Sequence, residues 1–229
     1  MDLQYIVIVL GFMGLSQLVS WKLKSKFTEY SQIPLEFTGK EIAEKMLRDN
    51  QIFDVQVISV QGQLTDHYNP QNKTVNLSEV VYNQNNVSAV AVAAHECGHA
   101  IQHAQSYTFL TMRSKLVPVV NVASKISSLI FGIGIGMFIL KGIPFIFWIG
   151  IIALSITTLF AIITLPVEFD ASSRALQWLD SSQSLKGEAY KKARTALSWA
   201  ACTYVIAALN AIAMILYFLL KAINRDQKT

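Results

Sequence analysis

Three residues able to do chemistry, His95, Glu96 and His99, stand in the run Ala94-His95-Glu96-Cys97-Gly98-His99-Ala100-Ile101-Gln102-His103. The pattern is H-E-x-x-H, which on a helix sets two zinc-binding imidazoles and a carboxylate side by side. Residues four apart return to one helix face about 6 Å along the axis, so His95 and His99 can converge on one ion. Glu96 falls beside them, placed to reach a water rather than the ion. Zinc takes neutral imidazoles at about 2.1 Å, and a catalytic site keeps its fourth position open. One further protein ligand is therefore required. The chemistry implied is peptide-bond hydrolysis. Zinc lowers the pKa of a water towards ~7, and Glu96 accepts its proton and passes it to the leaving amine.

What must position these residues is a membrane protein. Of 229 residues 52% are hydrophobic and only 15% charged, against a usual quarter. The excess lies in long apolar runs, which fit spans at about 3–21, 116–140, 145–165 and 200–220. The fold class expected is mainly α: a four-span helical membrane protein with a small α/β cytoplasmic portion that carries the H-E-x-x-H helix. The whole chain, 1–229, reads as one membrane metallopeptidase domain. Lys22, Lys24 and Lys26 follow the first span. By the positive-inside rule this places the portions 22–115 and 166–199 in the cytoplasm, with the active site on that side of the cell membrane. The first span is not preceded by a basic stretch, and reads as an uncleaved anchor. The net charge of +4 does not imply nucleic acid, because no basic stripe with interleaved aromatics is present. Two cysteines, Cys97 and Cys202, make no disulfide framework.

Within 27–93 the local signals are short. Thr38-Gly39-Lys40-Glu41 is a capping box, and Ile42, Met46 and Leu47 share one face, so a helix is expected over about 39–50. Strands are expected at 55–60, near 64–68 and at 74–77, with a turn at Asn69-Pro70. Ser88 is a plausible N-cap for the H-E-x-x-H helix, whose opening Ala/Val run implies burial on all sides. The strand at 74–77 could hold an extended substrate by strand addition.

The third ligand follows from topology. After His99 the chain crosses the bilayer twice and so returns to the side it left. The first acid there is Glu168, in Leu165-Pro166-Val167-Glu168-Phe169-Asp170 at the end of an uncharged span. A carboxylate so placed is costly unless paired or metal-bound. Asp170 is the runner-up. His103 lies eight residues from His95, about 12 Å along a straight helix, too far for the same ion. It is assigned a supporting or surface role. His67, Tyr68 and Arg174 are the candidates for a donor that stabilises the transition state.

These three stretches together resemble the YugP-type membrane zinc metallopeptidases: HECGHAIQHA, preceded by LTDHYNPQNKTVNLSEVVY and followed after two spans by LPVEFDASSRAL. The layout is also similar to that of the gluzincin membrane endoproteases. The resemblance implies a zinc peptidase with one zinc ion per chain, held by His95, His99 and Glu168, and a site so near the membrane interface suggests membrane-associated or unfolded protein or peptide substrates. In that clan an E-x-x-x-D segment supplies a ligand and a supporting Asp. Here the Asp position is Ser172, so support has to come from Ser172, Asp170 or another group. The alternative is a catalytically inactive scaffold that binds zinc. A metal transporter would need charged groups within its spans, and only Lys125 lies there.

Overall fold

A computed structural model describes the backbone of residues 3–139 and 144–226, and within these all side chains except those at 128, 130–139, 144–146 and 224–226. The elements in order are α1 (Leu3–Tyr30), α2 (Gly39–Asp49), β1 (Gln56–Val60), β2 (His67–Asn69), β3 (Thr74–Ser78), α3 (Glu79–Asn83), α4 (Val87–Ala104), α5 (Thr108–Ile139), α6 (Pro144–Ser181) and α7 (Gly187–Asp226). They form two compact units. One comprises Met1–Leu18, Met112–Leu165 and Thr203–Thr229, the other Val19–Thr111 and Pro166–Cys202.

The first unit is helical and apolar. Among the described residues three helices are long and apolar enough to cross a membrane: Leu3–Tyr30, Phe147–Ser181 and Gly187–Ile223. These agree with three of the four expected spans. The expected 116–140 span is helical as far as Ile139, but most side chains of its second half, and residues 140–143, lie outside the described residues. Large apolar side chains such as Leu10, Ile152 and Leu216 are more than half exposed. That is the reverse of a water-soluble helix and suits hydrocarbon as solvent. The hydroxyls of Ser155 and Thr164 bond to the carbonyls of Ile151 and Phe160 four residues back, so neither polar group needs a distant partner.

The second unit is a small α/β body. Its sheet has the order β1-β3-β2, with β1 parallel and β2 antiparallel to β3. The central strand β3 is buried along its length. Both of its edges are already hydrogen-bonded, so the expected strand addition at Thr74–Leu77 has no vacant edge to use. The expected strands appear at Gln56–Val60, His67–Asn69 and Thr74–Ser78. The short helix α3 has no counterpart in the sequence reading. Helix α2 starts with the expected reciprocal box: Thr38 Oγ1 accepts from Glu41 N at 3.2 Å, and Glu41 Oε2 accepts from Thr38 N at 2.8 Å. Its Ile42, Met46 and Leu47 are buried.

Helix α4 begins one residue before the expected cap. Asn86, not Ser88, is the N-cap, and its Oδ1 accepts from Ala89 N at 2.9 Å. Ser88 is already helical, and its Oγ donates instead to the carbonyl of Phe27 on α1. The start of α4 is further fixed by Val87 N donating to Ile33 O and by a bridge between Pro34 and Asn86. Expected burial all round α4 is borne out, with fourteen of its residues buried.

Candidate metal centre

Two helices supply the centre. On α4, His95, Glu96 and His99 project from one face. On α6, Val167, Ala171, Ala175 and Leu179 recur every four residues, each fully buried, and press the helix into the core. Glu168 and Ser172 form the adjoining row and so point the same way along α4. The two backbones meet at Gly98. A Cβ built there would lie 2.5 Å from the carbonyl oxygen of Ala171, so only glycine permits this approach.

The result is a convergence of three donors. Glu168 Oε2 lies 3.3 Å from His95 Nε2 and 3.6 Å from His99 Nε2. One ligand atom from each of the three residues falls within 4.8 Å of the others. Ligand atoms on a tetrahedral zinc with bonds near 2.1 Å are about 3.4 Å apart, so the spacing suits one small divalent ion. Glu168 and His99 are buried and His95 is nearly so.

The hydrogen bonds behind the imidazoles set the right tautomer. Gln102 is fully buried, and its Nε2 donates to the carbonyl of Val167 at 2.8 Å and to Asp170 Oδ2 at 2.7 Å. Both of those partners can only accept, which turns Gln102 Oε1 towards His99 Nδ1, 3.0 Å away. An amide oxygen only accepts, so His99 carries a proton on Nδ1, which leaves Nε2, on the side of Glu168, as the atom able to bind a metal. Ser172 Oγ stands 3.0 Å from His95 Nδ1 and can play the same part for that ring. Metal-ligating histidines are oriented by partners of this kind. Burial acts most strongly on His99 and lowers its pKa. The hydrogen bond to Glu168, with the charges of Glu96 and Glu168, outweighs that, and the net pKa is raised. The centre thus attracts positive charge, as a cation site must.

The remaining sequence candidates separate. Tyr68 sits over α4: its backbone N–H donates to Glu96 Oε2 at 3.1 Å, and its hydroxyl lies 2.8 Å from His103 Nδ1. Burial, then the charge of Asp54, pushes the Tyr68 phenol up to about 12, so it stays protonated near neutrality. His103 therefore touches Tyr68 rather than the donor cluster. His67 is exposed and its Nδ1 meets the carbonyl of Thr65 at 2.7 Å. Asp170 accepts from Gln102 and from Arg174 Nε, and Arg174 Nη1 donates to Gln105 Oε1. Both residues brace α6 against the end of α4. Cys97 turns away, its Sγ 3.5 Å from the carbonyl of Ala43 on α2, and burial pushes its thiol up. Gln102 and Gly98 were not singled out from the sequence. The available signal for Gln102 was a carboxamide three residues after His99, on the same helix face.

Comparison with known proteins places the chain in a family along nearly its whole length. The chain is 42% identical over 228 residues to "Putative membrane protease YugP" of Bacillus subtilis (strain 168), covering 97% of this chain and 99% of that protein. No solved structure matches. A family model described as "Putative neutral zinc metallopeptidase" matches residues 5–223, and the chain belongs to that family.

Proposed function

We propose that the protein is a zinc-dependent endopeptidase embedded in the cell membrane by four spans, cutting protein or peptide substrates at the cytoplasmic face. The observation that carries this reading is the convergence of His95 Nε2, His99 Nε2 and Glu168 Oε2, with Glu96 one residue from the first. His95, His99 and Glu168 are assigned as the ligands of one zinc ion. Zinc in a three-ligand site activates a water near neutral pH and polarises a carbonyl.

The rest is the work of the chain. Glu96 is the general base: Tyr68 N–H holds its Oε2, leaving Oε1 to take the water's proton and return it to the leaving amine. Ser172 and Gln102 keep both imidazoles in the ligating tautomer. Tyr68, whose backbone N–H binds Glu96 and whose hydroxyl stays protonated beside His103, is the residue assigned to stabilise an oxyanion.

The test uses the full chain in detergent, loaded with zinc, on unfolded casein. Glu96→Gln should keep stoichiometric zinc and lose activity by on the order of a thousandfold or more. Equal activity in the two proteins would remove the peptidase reading and leave the inactive zinc scaffold.

A further inference from the structure

A cavity of about 920 Å³ opens in the α/β unit at the end of α4 that precedes the metal pair. Its apolar wall includes Leu23, Phe27, Leu64, Val80, Val92 and Leu197, and Gln63, Gln84 and Asn85 add carboxamides. Its size lies within the range of built ligand pockets. From Val87 to Gln102 every residue of α4 is buried except Val92 and His95. These are three apart and share a face, so the open side of the helix runs from the metal ligand to the cavity wall within one turn, about 5 Å. The strand side shows the same continuity. Asp66 lines the cavity, and Tyr68, two residues on, binds Glu96. Asp66 also accepts from Ser78 N and Oγ, which pins the β1–β2 loop to the end of β3. Leu64 and Val80 are 63% and 40% exposed beside this space. Both are large apolar side chains that the fold leaves open to whatever fills this space.

We infer that this cavity receives the apolar side chains of an extended substrate segment flanking the bond presented to the metal centre. The inference rests on the peptidase reading and gives it a substrate class: polypeptides with a run of large aliphatic or aromatic residues next to the cut. A polypeptide suits the cavity because the partly open face of α4 leads from Val92 in its wall to His95 one turn on, and because carboxamides interleaved with its apolar wall can both donate to and accept from peptide groups.

The experiment measures binding, not cleavage. Full-length zinc-loaded protein carrying Glu96→Gln, held in phosphatidylcholine nanodiscs, is titrated with two fluorescein-labelled decapeptides. They share one half, and the other half is Leu/Phe-rich in one and Ser/Gln-rich in the other. Fluorescence anisotropy should show the apolar peptide binding at least about tenfold tighter. Adding Leu64→Gln and Val80→Gln should remove most of that difference while zinc content and thermal midpoint stay unchanged. As a second measurement needing no cavity variant, a benzophenone in the apolar half should crosslink to residues 23–27, 63–64 or 80–92. Equal binding of both peptides, indifference to the double substitution, or crosslinks elsewhere would overturn the inference. Displacement of the apolar peptide by a lysophospholipid at submicellar concentration would reassign the cavity to lipid. If casein cleavage survives Glu96→Gln while peptide binding still responds to Leu64 and Val80, the peptidase reading falls and the cavity stands. The opposite pair of results sinks the cavity alone.

Discussion

Hydroxyls of the apolar unit bond mainly to their own helix, Thr158 Oγ1 reaching Ala211 O as well as Leu154 O, whereas the polar groups of the metal centre join separate helices. In the apolar unit Thr164 Oγ1 bonds to Phe160 O and Ser155 Oγ to Ile151 O, each within its own helix turn. In the α/β unit the polar groups that matter reach across the chain: His95 to Ser172, 77 residues away, and Gln102 to Val167, 65 away. A hydroxyl that bonds to its own backbone restrains little beyond one residue. A carboxamide joining two helices fixes their separation, and here that separation sets the metal geometry. Precision therefore resides in the second unit, and substitutions of similar chemistry should cost very different amounts in the two.

The widest gap is expected between Glu168→Ala and Ser155→Ala. The first leaves two imidazoles facing a hole, too few for a closed grip on zinc. Bound zinc, measured by elemental analysis, should fall well below one per chain, and activity by on the order of a thousandfold or more. Ser155→Ala should alter neither. Stoichiometric zinc in Glu168→Ala would move the third ligand elsewhere, with Asp170 next in line.

A sharper contrast uses one substitution twice. Gly98→Ala places a methyl 2.5 Å from Ala171 O, so α6 must retreat and take Glu168 and Ser172 with it. Overpacking of this kind costs about 1–3 kcal/mol, and zinc affinity should fall with it. Gly14→Ala meets nothing within 4 Å and should be neutral or slightly stabilising. Thermal midpoints of the two variants, with and without a chelator, give the comparison. Similar losses at both positions would mean that close approach at Gly98 does not govern the centre.

Gln102→Leu against Thr164→Val comes next. Loss of the Gln102 amide frees His99 Nδ1 and abandons Asp170 and Val167 O. Disrupting such support typically lowers metal affinity 10–100-fold. Thr164→Val removes a bond to its own helix and should change stability by about 0.5 kcal/mol or less. Competition with a zinc chelator reads the first, unfolding the second.

The same division explains what could be read in advance. Spans 3–21, 145–165 and 200–220 were legible because hydropathy is a local property. H-E-x-x-H and the Thr38–Glu41 box were legible because their partners lie three or four residues apart. Glu168 was reached by counting crossings, a topological constraint that needs no contact map. The sheet order β1-β3-β2 was not legible, since nothing in 74–77 distinguishes a central strand from an edge. Ser172 looked like a defect against the E-x-x-x-D pattern, yet its hydroxyl stands 3.0 Å from His95 Nδ1. Asn86 displaced Ser88 as cap because Ser88 had a distant partner, Phe27 O, that local rules cannot supply.

The smallest effect tests whether a local device stays local inside the α/β unit. Glu41 is held below the usual carboxylate range chiefly by the backbone N–H of Thr38, then by its hydroxyl. Glu188, in the first turn of α7, is lowered too, but chiefly by the exposed amine of Lys191. A carboxylate whose folded pKa is depressed adds stability above its unfolded pKa, near 4.5, and loses it as pH falls through the folded value. Stability lost on Glu41→Gln should therefore be constant above about pH 5 and shrink towards pH 3, and the same holds for Glu188→Gln. Salt should then part them. Screening at about 1 M shortens the reach of exposed charges to roughly 3 Å, which should erase the Glu188→Gln effect while that of Glu41→Gln persists, because a backbone N–H is not a mobile ion. Thr38→Ala, which removes the hydroxyl and keeps the N–H, should cost about 1 kcal/mol at neutral pH and little less in high salt. Thermal unfolding of the zinc-free chain at pH 7 and pH 3.5, in low and high salt, resolves all three without the loss of metal that protonated imidazoles would cause. A Glu41→Gln effect that vanished with salt would show that the cap works through net charge, and the contrast between backbone-held and ion-paired carboxylates would fail.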